Sequence, residues 1–310
     1  KYQFIKNHRN EFSLLGMCRV LDVKKGSYYA WRSRPLCNRK KEDMELLKEI
    51  KVIHKKSKRI YGSPKIHDEL IGMGKSCGHN RVARIMRENG IKSKIVKKYK
   101  HKGSSVSDKY AASNILNRNF NPEKKNTAWA LDITYLWTKT GWVYLCICMD
   151  LFHKKIVGWS VSKRAKAEIA VKALTMAIRN CKPGKGLIVH SDRGSQFGSN
   201  IFKDFINRHK FIQSMSRKGN CWDNACVESF FGKLKVEHFN DILLKNVTEA
   251  EYEAFCYIEG FYNRCRRHAS LGYLTPEEYG KKIASLNDYI IGQALINIRT
   301  AFFFLFPNHS

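Results

Sequence analysis

The feature that most constrains the fold of this chain is a change of hydrophobic pattern at Thr127. Three short runs rich in β-branched and aromatic residues follow it, separated by the turn sequences Lys139-Thr140-Gly141 and His153-Lys154. Because such runs between turn residues are typical of strands, they predict an antiparallel meander over 128–137, 142–152 and 155–161.

Alternating helical and extended patterns complete the predicted sheet. A helical stripe containing Ile169, Ala173 and Met176 ends at Cys181-Lys182-Pro183-Gly184. Beyond it we predict a buried strand at 187–189, an amphipathic helix around 201–206, a strand at 211–215 and a helix from 223 to about 238. Three strands, then helix, strand, helix, strand and helix, is the order of an α/β domain of the ribonuclease H type.

The first third of the chain has helical rather than extended patterns. A weak helix, turn, helix pattern covers 10–32, and three stronger helical patterns lie between 42 and 91. The last of these can be capped by Asn80 and turns three arginines outward, Arg81, Arg84 and Arg87. Three short helices with a basic last helix predict an all-α helix-turn-helix-like module that contacts DNA. An ordinary three-helix bundle with a charged surface is the alternative.

The charge of the chain favours a polyanionic partner. Its net charge is +30, and residues 1–125 carry 32 basic against 11 acidic side chains. Nucleic acid is therefore the expected partner, and we expect the first third of the chain to make most of the contacts with it. A basic surface of the ribosomal type is the alternative, but 43% hydrophobic and 12% aromatic residues indicate substantial cores.

Cysteine spacing and apolar runs bear on the compartment. The ten cysteines are scattered and lack the paired spacing of a zinc site, which favours free thiols in a reducing environment. The longest conspicuous apolar run, 301–306, is too short to cross a membrane, and the N-terminus lacks the pattern of a secretory signal. We expect a cytoplasmic, nucleoid-associated protein with no membrane partner.

Two acidic residues lie where the predicted sheet would expose them to a ligand. Asp132 projects from the middle of an apolar strand, where an unpaired carboxylate costs several kcal/mol. Asp192 directly follows a buried strand, in HSDRGSQF, at the end of a sheet where α/β domains collect ligands. For Asp192 alone, a turn residue that accepts from local backbone amides is an equally good interpretation.

A third acid lies on the predicted long helix. Asp223 is a plausible N-cap, Val227, Phe231 and Leu234 form its buried stripe, and Glu228 lies at the edge of that stripe. Lys235 follows two turns later on the same edge. Exposed surface residues are the alternative for both. Together the three acids could supply the oxygen ligands of hard divalent cations, as in two-metal phosphoryl transfer.

At this point the chain resembles a known family. The segments WALDITYL, HSDRGSQF, SRKGNCWDNACVESFFGKLKVE and YNRCRRHASLGYLTPEEY are similar, in order, to the integrase-like DDE catalytic core of bacterial insertion-sequence transposases. The resemblance is to the downstream-frame (OrfB) product of the insertion-sequence three family, and it covers roughly 10–280, with 35 residues between Asp192 and Glu228.

The resemblance implies a ribonuclease H-like, retroviral-integrase-type catalytic core that cuts and joins DNA. It implies that Asp132, Asp192 and Glu228 are catalytic and hold two Mg²⁺ ions, for which Mn²⁺ could substitute. Lys235 would contact DNA, and the loop 216–222 would be mobile and position the scissile strand. The remaining expected DNA contacts are Arg217 and Lys218 of that loop and the basic residues Arg264, Arg266, Arg267 and His268, assigned to the last helix; for these four, a charged surface is the alternative.

Six segments follow from these patterns. They are a small N-terminal helical segment at 1–40, the helix-turn-helix-like module at 41–95, a basic linker at 96–125, the catalytic core at 126–240, a helical extension at 241–282 and a tail without a functional interpretation at 283–310. The resemblance implies as partners double-stranded DNA (element ends and target), further copies of the chain and an upstream-frame (OrfA) product. The start at Lys1 and the lack of a sustained heptad repeat suit a chain that works with that upstream-frame product. A catalytically silent DNA-binding regulator and a ribonuclease H-like nuclease without joining activity are the competing functions.

Overall fold

The computed structural model describes residues 1–35, 37–94, 112–218 and 220–286. Most of the expected basic linker and of the C-terminal tail lies outside the described residues. Within the described ranges, no helix combines the length and apolar composition needed to cross a bilayer.

Three short helices form a separate N-terminal unit. They are α1 (Tyr2–Asn7), α2 (Leu14–Val20) and α3 (Lys25–Ser33). Ser13 caps α2, because its hydroxyl oxygen accepts a hydrogen bond from the Gly16 amide at 3.2 Å. The unit has its own small core, made of Ile5, Leu14, Met17, Cys18 and Tyr28. The helix, turn, helix pattern at 10–32 is confirmed, and α1 is an addition to it.

The predicted helix-turn-helix-like module contains α4 (Asn38–Lys56), α5 (Ser63–Gly72) and α6 (His79–Glu88). Ile50, Ile66, Leu70, Val82 and Ile85 are almost fully buried between these helices. The prediction that Asn80 caps the third helix is wrong. Gly78 is the N-cap and its extended backbone starts the helix, which leaves Asn80 inside the first turn.

The catalytic-core region is built on one mixed five-stranded sheet. Its strands are β1 (Ala128–Thr138), β2 (Gly141–Asp150), β3 (Ile156–Ser162), β4 (Ile188–Ser191) and β5 (Ile212–Met215), in the spatial order β3-β2-β1-β4-β5. The first three strands are antiparallel, whereas β4 and β5 run parallel to β1. All five strands occur where the sequence predicted them, with ends that differ by a few residues.

Helices cover both faces of the sheet. On one face lie α7 (Ala167–Cys181), the short α8 (Ser195–Gly198) and α9 (Asn200–Arg208), over a core that includes Trp129, Leu131 and Phe202. Helix α7 packs so closely on β3 that a Cβ atom at Gly158 would lie 2.2 Å from the Ala173 carbonyl oxygen. That approach explains a glycine in the middle of a buried strand.

The other face carries the C-terminal helices. They are α10 (Ala225–Glu237), α11 (Val247–Tyr257), which continues as a π-helical turn (Ile258–Tyr262), and a final helix α12 described over 276–286. The core beneath them, with Phe230 and Tyr257, is continuous with the core of the helix-turn-helix-like module. That module therefore packs onto the catalytic-core region through shared apolar contacts.

The segment that enters the sheet domain runs along the outer strand β5. The Ser214 hydroxyl oxygen accepts hydrogen bonds from the amides of Ile115 and Leu116 at 2.9 and 3.0 Å. In turn, the Met215 amide donates to the Ser113 carbonyl oxygen at 3.3 Å. The residues 113–116 thus lie against the edge of the sheet.

Asp150 at the end of β2 has a structural role. Its buried carboxylate accepts hydrogen bonds from the amides of Asn126 and Phe152 at 2.8 and 2.9 Å, and from the Trp129 indole at 3.3 Å. These contacts fix the turn between β2 and β3 against the start of β1.

Candidate active site

Two of the three expected acids lie at the same level on neighbouring strands. Strands β1 and β4 are parallel and pair Ala130 with His190. Two residues further along each strand lie Asp132 and Asp192, the latter one residue past the end of β4. The register therefore brings the two carboxyl groups to the same end of the pairing between these strands.

Both acids are partly buried, and each carboxylate accepts a local backbone hydrogen bond. Asp132 Oδ1 accepts from the Ile133 amide at 2.7 Å, and Asp192 Oδ1 accepts from the Gly194 amide at 2.9 Å. Burial raises the pKa of Asp132 well above its ordinary value, and the negative charges of Asp192 and Glu228 raise it further. Burial also raises the pKa of Asp192, while the Gly194 hydrogen bond lowers it. Such elevated pKa values mark a site that favours positive charge.

Helix α10 carries Glu228 and Lys235. The predicted stripe of Val227, Phe231 and Leu234 is buried, which leaves Glu228 partly exposed at its edge. The Lys235 ammonium lies 4.6 Å from the centroid of the Tyr135 ring. Burial lowers the pKa of Lys235 and the charge of Asp132 opposes that shift, so this cation is within electrostatic range of the acids.

The donor set suits a hard divalent cation, although it is not a closed cage. Among the described residues, no three Asp, Glu, His or Cys side chains converge closely enough to form a metal-binding cluster. Glu228 instead acts on Asp132 at electrostatic range. Carboxylate oxygens are the ligands that Mg²⁺ prefers, and a dication would relieve the repulsion that raises the pKa of Asp132.

The loop before α10 is anchored by Asp223. This carboxylate is fully buried and accepts hydrogen bonds from Arg217 Nε and Nη2 at 2.9 and 2.8 Å, and from Arg118 Nε at 2.8 Å. The hydrogen bonds from Arg217 are the main reason that the pKa of Asp223 lies far below its ordinary value. The prediction that Asp223 is a helix N-cap is wrong, because Asn224 occupies that position and Asp223 lies in the preceding 3₁₀ turn.

His190 is a site residue that sequence reasoning did not single out. Its buried ring contacts the hydroxyl oxygens of Ser214 and Ser216, with Nδ1 at 2.9 Å and Nε2 at 3.3 Å. Burial lowers the pKa of His190 to about 4. The ring thus ties β4, two residues before Asp192, to the start of the 216–222 loop. The signal was its position in HSDRGSQF, on a strand flanked by apolar residues.

The three arginines of α6, the last helix of the helix-turn-helix-like module, differ in their surroundings. Arg81 pairs with Asp43 at 2.6 Å and with Glu42 at 2.9 Å, and Arg84 pairs with the other oxygen of Asp43 at 2.6 Å. Arg87 is exposed. Acidic residues of α4 therefore offset two of the three positive charges on this helix.

The sequence interpretation placed the three arginines of this region and His268 on the last helix, and that placement is wrong. All four residues follow the π-helical turn in irregular structure. Arg266 is 4% exposed and forms two hydrogen bonds with Glu237, at 2.8 and 2.5 Å, so its guanidinium cannot reach a DNA phosphate in this structure. Arg267 pairs with Asp68 and Glu69 of α5. His268 is buried as well.

Three more of the basic residues expected to contact DNA are exposed. Arg264 is 68% exposed in its side chain and lies 3.7 Å from Glu277, and Lys218 is exposed on the loop before α10. Arg217 is also exposed to solvent, although its guanidinium donates a hydrogen bond to Asp223. DNA contact by Arg264, Lys218 and Arg217 stays a prediction.

Three segments of the chain match known protein families. Residues 122–221 and residues 209–276 each match a family described as an integrase core domain. Residues 41–99 match a family described as an HTH-like domain. The matches cover the sheet domain, its C-terminal helices and the three-helix module. The core is thus an α/β, ribonuclease H-like integrase core preceded by a helical, helix-turn-helix-like module.

Individual relatives extend over nearly the whole chain. Transposase InsF for insertion sequence IS3A of Escherichia coli (strain K12) is 38% identical over 286 residues, which cover 91% of this chain and 99% of that protein. A 31 kDa protein of insertion element IS600 from Shigella sonnei, described as uncharacterized, is 38% identical over 266 residues, or 86% of this chain and 98% of that protein.

Solved structures show weaker similarity. A chain of the simian T-cell lymphotropic virus intasome, in complex with PP2A regulatory subunit B56 gamma, matches with a TM-score of 0.40 and 16% identity over 70% of this chain and 69% of that one. The HTLV-2 integrase catalytic core domain in complex with magnesium matches with a TM-score of 0.39 and 18% identity over 50% of this chain and 96% of that one.

Proposed function

The chain belongs to the family of DDE-type transposases that includes InsF of insertion sequence IS3, and we propose that it cuts and joins DNA ends at Asp132, Asp192 and Glu228 in a Mg²⁺-dependent reaction. The observation that carries this proposal is the register of β1 and β4, which aligns Asp132 with Asp192. Two carboxylates held together at the cost of mutual repulsion are suited to holding a dication.

Asp132 and Asp192 would hold the metal, and Glu228 would complete the ligand set. When bound, a pair of Mg²⁺ ions activates the attacking oxygen and stabilises the leaving oxygen of a phosphodiester, and Mn²⁺ could substitute. Glu228 lies in the first turn of α10, next to the loop that Asp223 anchors, and a shift of this helix end would bring its carboxylate to the other two acids.

The other residues of the site would bind and orient DNA. Lys235 lies on the same helix as Glu228, and its ammonium is suited to contact the phosphate next to the scissile bond. Water would first cleave one strand at an element end, and the freed 3′-hydroxyl would then attack a phosphodiester of the target. No side chain needs to form a covalent bond with DNA in this scheme, since water and the 3′-hydroxyl of the DNA are the two nucleophiles.

The remaining segments would deliver DNA to this site. We assign 41–95 to double-stranded DNA binding through the exposed Arg87, with Arg81 and Arg84 released from their acidic partners where DNA competes for them. The sheet domain at 126–240 and the extension at 241–282 would form the catalytic unit. Further copies of the chain, and an upstream-frame product, would assemble with it on the element ends.

A strand-transfer assay tests this proposal. Labelled DNA carrying the ends of the element that encodes the chain is incubated with target DNA and Mg²⁺, using wild type, Asp192→Asn and the exposed α9 variant Asp204→Asn as a matched control. We expect wild type and Asp204→Asn to join DNA and Asp192→Asn to lose cleavage and joining. Joining by Asp192→Asn at the wild-type rate would refute the assignment of Asp192.

The same assay separates the competing functions. Binding of ends without cleavage by wild type would indicate a silent DNA-binding regulator. Cleavage that never yields joined products would indicate a nuclease of the ribonuclease H type. Joined products with both ends of the element attached to the target would support transposition.

A further inference from the structure

The outer half of β1 leaves one face of the sheet bare. From residue 134 onward the strand alternates strictly, with Thr134, Leu136 and Thr138 buried and Tyr135 and Trp137 exposed. Pairing with β4 ends at Ala130, and α7 packs over β2 and β3 instead. The exposed side of this part of the hairpin would ordinarily carry polar residues.

Three aromatic rings occupy that bare side. Trp142 of β2 lies opposite Trp137, and their ring centroids are 4.8 Å apart. The ring of Tyr135 lies 5.1 Å from that of Trp142 at an interplanar angle of 89°. Tyr135, Trp137 and Trp142 are 57%, 55% and 51% exposed, and we call these three residues the aromatic face.

Hairpin stability alone is a weak explanation for this arrangement. Cross-strand aromatic pairs do stabilise hairpins, but one such pair, Trp137 with Trp142, already serves this end. Three contiguous rings that are each about half exposed form an apolar patch of the kind that marks a binding surface. We therefore expect another molecule to bind to these rings.

Lys235 links the aromatic face to the candidate active site. Tyr135 lies three residues beyond Asp132 on the same strand, about 10 Å along it, and on the opposite face of the strand, because successive side chains alternate. The Lys235 ammonium contacts the Tyr135 ring at 4.6 Å and also acts electrostatically on Asp132. This one cation is thus within range of both Asp132 and the Tyr135 ring.

We propose that the aromatic face binds unpaired DNA bases beside the scissile phosphodiester, by stacking on Trp137, Trp142 and Tyr135. The inference rests on the proposed DNA-joining function and extends it to the form of the substrate, namely an end whose terminal bases are unpaired. Aromatic rings next to a cation suit nucleotides, because the rings stack on bases while the cation contacts phosphate.

Charge favours DNA over a second copy of the chain as the occupant. Each copy carries a net charge of +30. Lys235 contacts the Tyr135 ring, and Lys139 directly follows β1, two residues after Trp137. Two copies joined through this face would bring those like charges together, whereas DNA neutralises them.

A binding experiment without chemistry tests the proposal. The full chain is mixed, in buffer free of divalent metal, with a blunt DNA duplex or with the same duplex bearing a single-stranded extension that contains a fluorescent adenine analogue quenched by stacking. The variants are the double substitutions Trp137→Ala with Trp142→Ala, and Trp137→Phe with Trp142→Phe. The phenylalanine pair retains stacking surface and serves as the matched control.

We expect wild type to quench the analogue and to bind the extended duplex more tightly than the blunt one. The alanine pair should lose roughly tenfold or more of its affinity for the extended duplex, as expected for losing a stacked base, and none for the blunt duplex. The phenylalanine pair should retain most of both. The single variant Trp137→Ala replaces the alanine pair where that pair fails to fold.

Three results would overturn the proposal. They are an absence of quenching by wild type, equal losses of affinity for both duplexes in the alanine pair, and sedimentation as a dimer that the alanine pair converts to monomers, which would make a second copy the occupant. The binding assay contains no metal and needs no cleavage. Its result can therefore be interpreted even where the chain fails to carry out strand transfer.

Discussion

Arg267 joins the C-terminal segment to the helix-turn-helix-like module through Glu69. Its Nε donates to one carboxylate oxygen at 2.6 Å and its Nη2 to the other at 3.2 Å, across 198 residues of sequence. The Arg267 amide also donates to the Tyr61 hydroxyl oxygen, at 3.0 Å. The two modules are therefore fixed together by polar contacts in addition to their shared core.

Replacing Arg267 by alanine should loosen this junction. We expect a loss of about 1–3 kcal/mol in the free energy of unfolding, as for partly buried hydrogen bonds to charged groups, and faster amide hydrogen exchange in α5. Arg264→Ala is the matched control, since Arg264 is 68% exposed and should change stability little. Equal effects of both substitutions in urea unfolding would contradict this interpretation.

Breaking the buried ion pair of Arg266 and Glu237 should reduce the free energy of unfolding more than removing the contacts of Arg267. Glu237→Gln leaves the Arg266 guanidinium without its charged partner while 4% exposed, which should cost about 3–5 kcal/mol. Arg266→Met combined with Glu237→Met should recover part of that loss, because no unpaired charge stays buried. Urea unfolding of the single and double variants measures the coupling, and additive losses would show that the pair does not act as a unit.

Asp132→Asn should stabilise the metal-free protein while abolishing DNA joining. The substitution removes a charge whose pKa is raised by burial and by Asp192 and Glu228, and each unit of such elevation corresponds to about 1.4 kcal/mol. In thermal melts, added Mg²⁺ should then stabilise wild type and Asp204→Asn but have little effect on Asp132→Asn. A metal-free Asp132→Asn protein that melts below wild type would argue against electrostatic strain at this site.

Stability should rise with pH through the titration of Lys65. Burial, together with the charge of Arg266, lowers the pKa of Lys65 to about 7, against 10.5 as its ordinary value. The unfolded chain thus binds this proton more tightly, so the cost of burying the ammonium is full below about pH 7 and disappears towards about pH 10.5.

Lys65→Met isolates this contribution. The difference in unfolding free energy between variant and wild type should be largest below about pH 7 and shrink as the pH rises. The exposed Lys51→Met on α4 serves as control. A difference for Lys65→Met that stays constant from neutral to alkaline pH would mean that this lysine is not titrating where its surroundings imply.

The strands and the two strand-borne acids could be predicted because their information is local. A run rich in β-branched and aromatic residues marks β1, and a buried run marks the strand before Asp192, so the order of elements already brings both acids to one sheet. The register that aligns them depends on strand pairing across sixty residues, and the sequence does not specify it by itself.

Residues whose partners are distant in sequence were misjudged. Arg266 resembled a DNA contact because its partner Glu237 lies 29 residues away and a basic run does not reveal pairing. Asp223 resembled a helix cap because it lies at the start of the predicted helix, and its bonds with Arg217 and with Arg118, 105 residues earlier, are not visible in the sequence. Neither position carries a local pattern that separates a buried ion pair from a surface charge.

The connecting segment 113–116 also has a protective consequence. An outer strand with free amides and carbonyls is a template on which other chains can add strands, and native proteins cover such edges. By donating to the Ser214 hydroxyl and accepting a hydrogen bond from the Met215 amide, this segment covers the end of that edge. A sheet domain cut free of residues 113–116 would present β5 to its neighbours and should aggregate, so the link between the two modules also keeps the catalytic sheet from self-association.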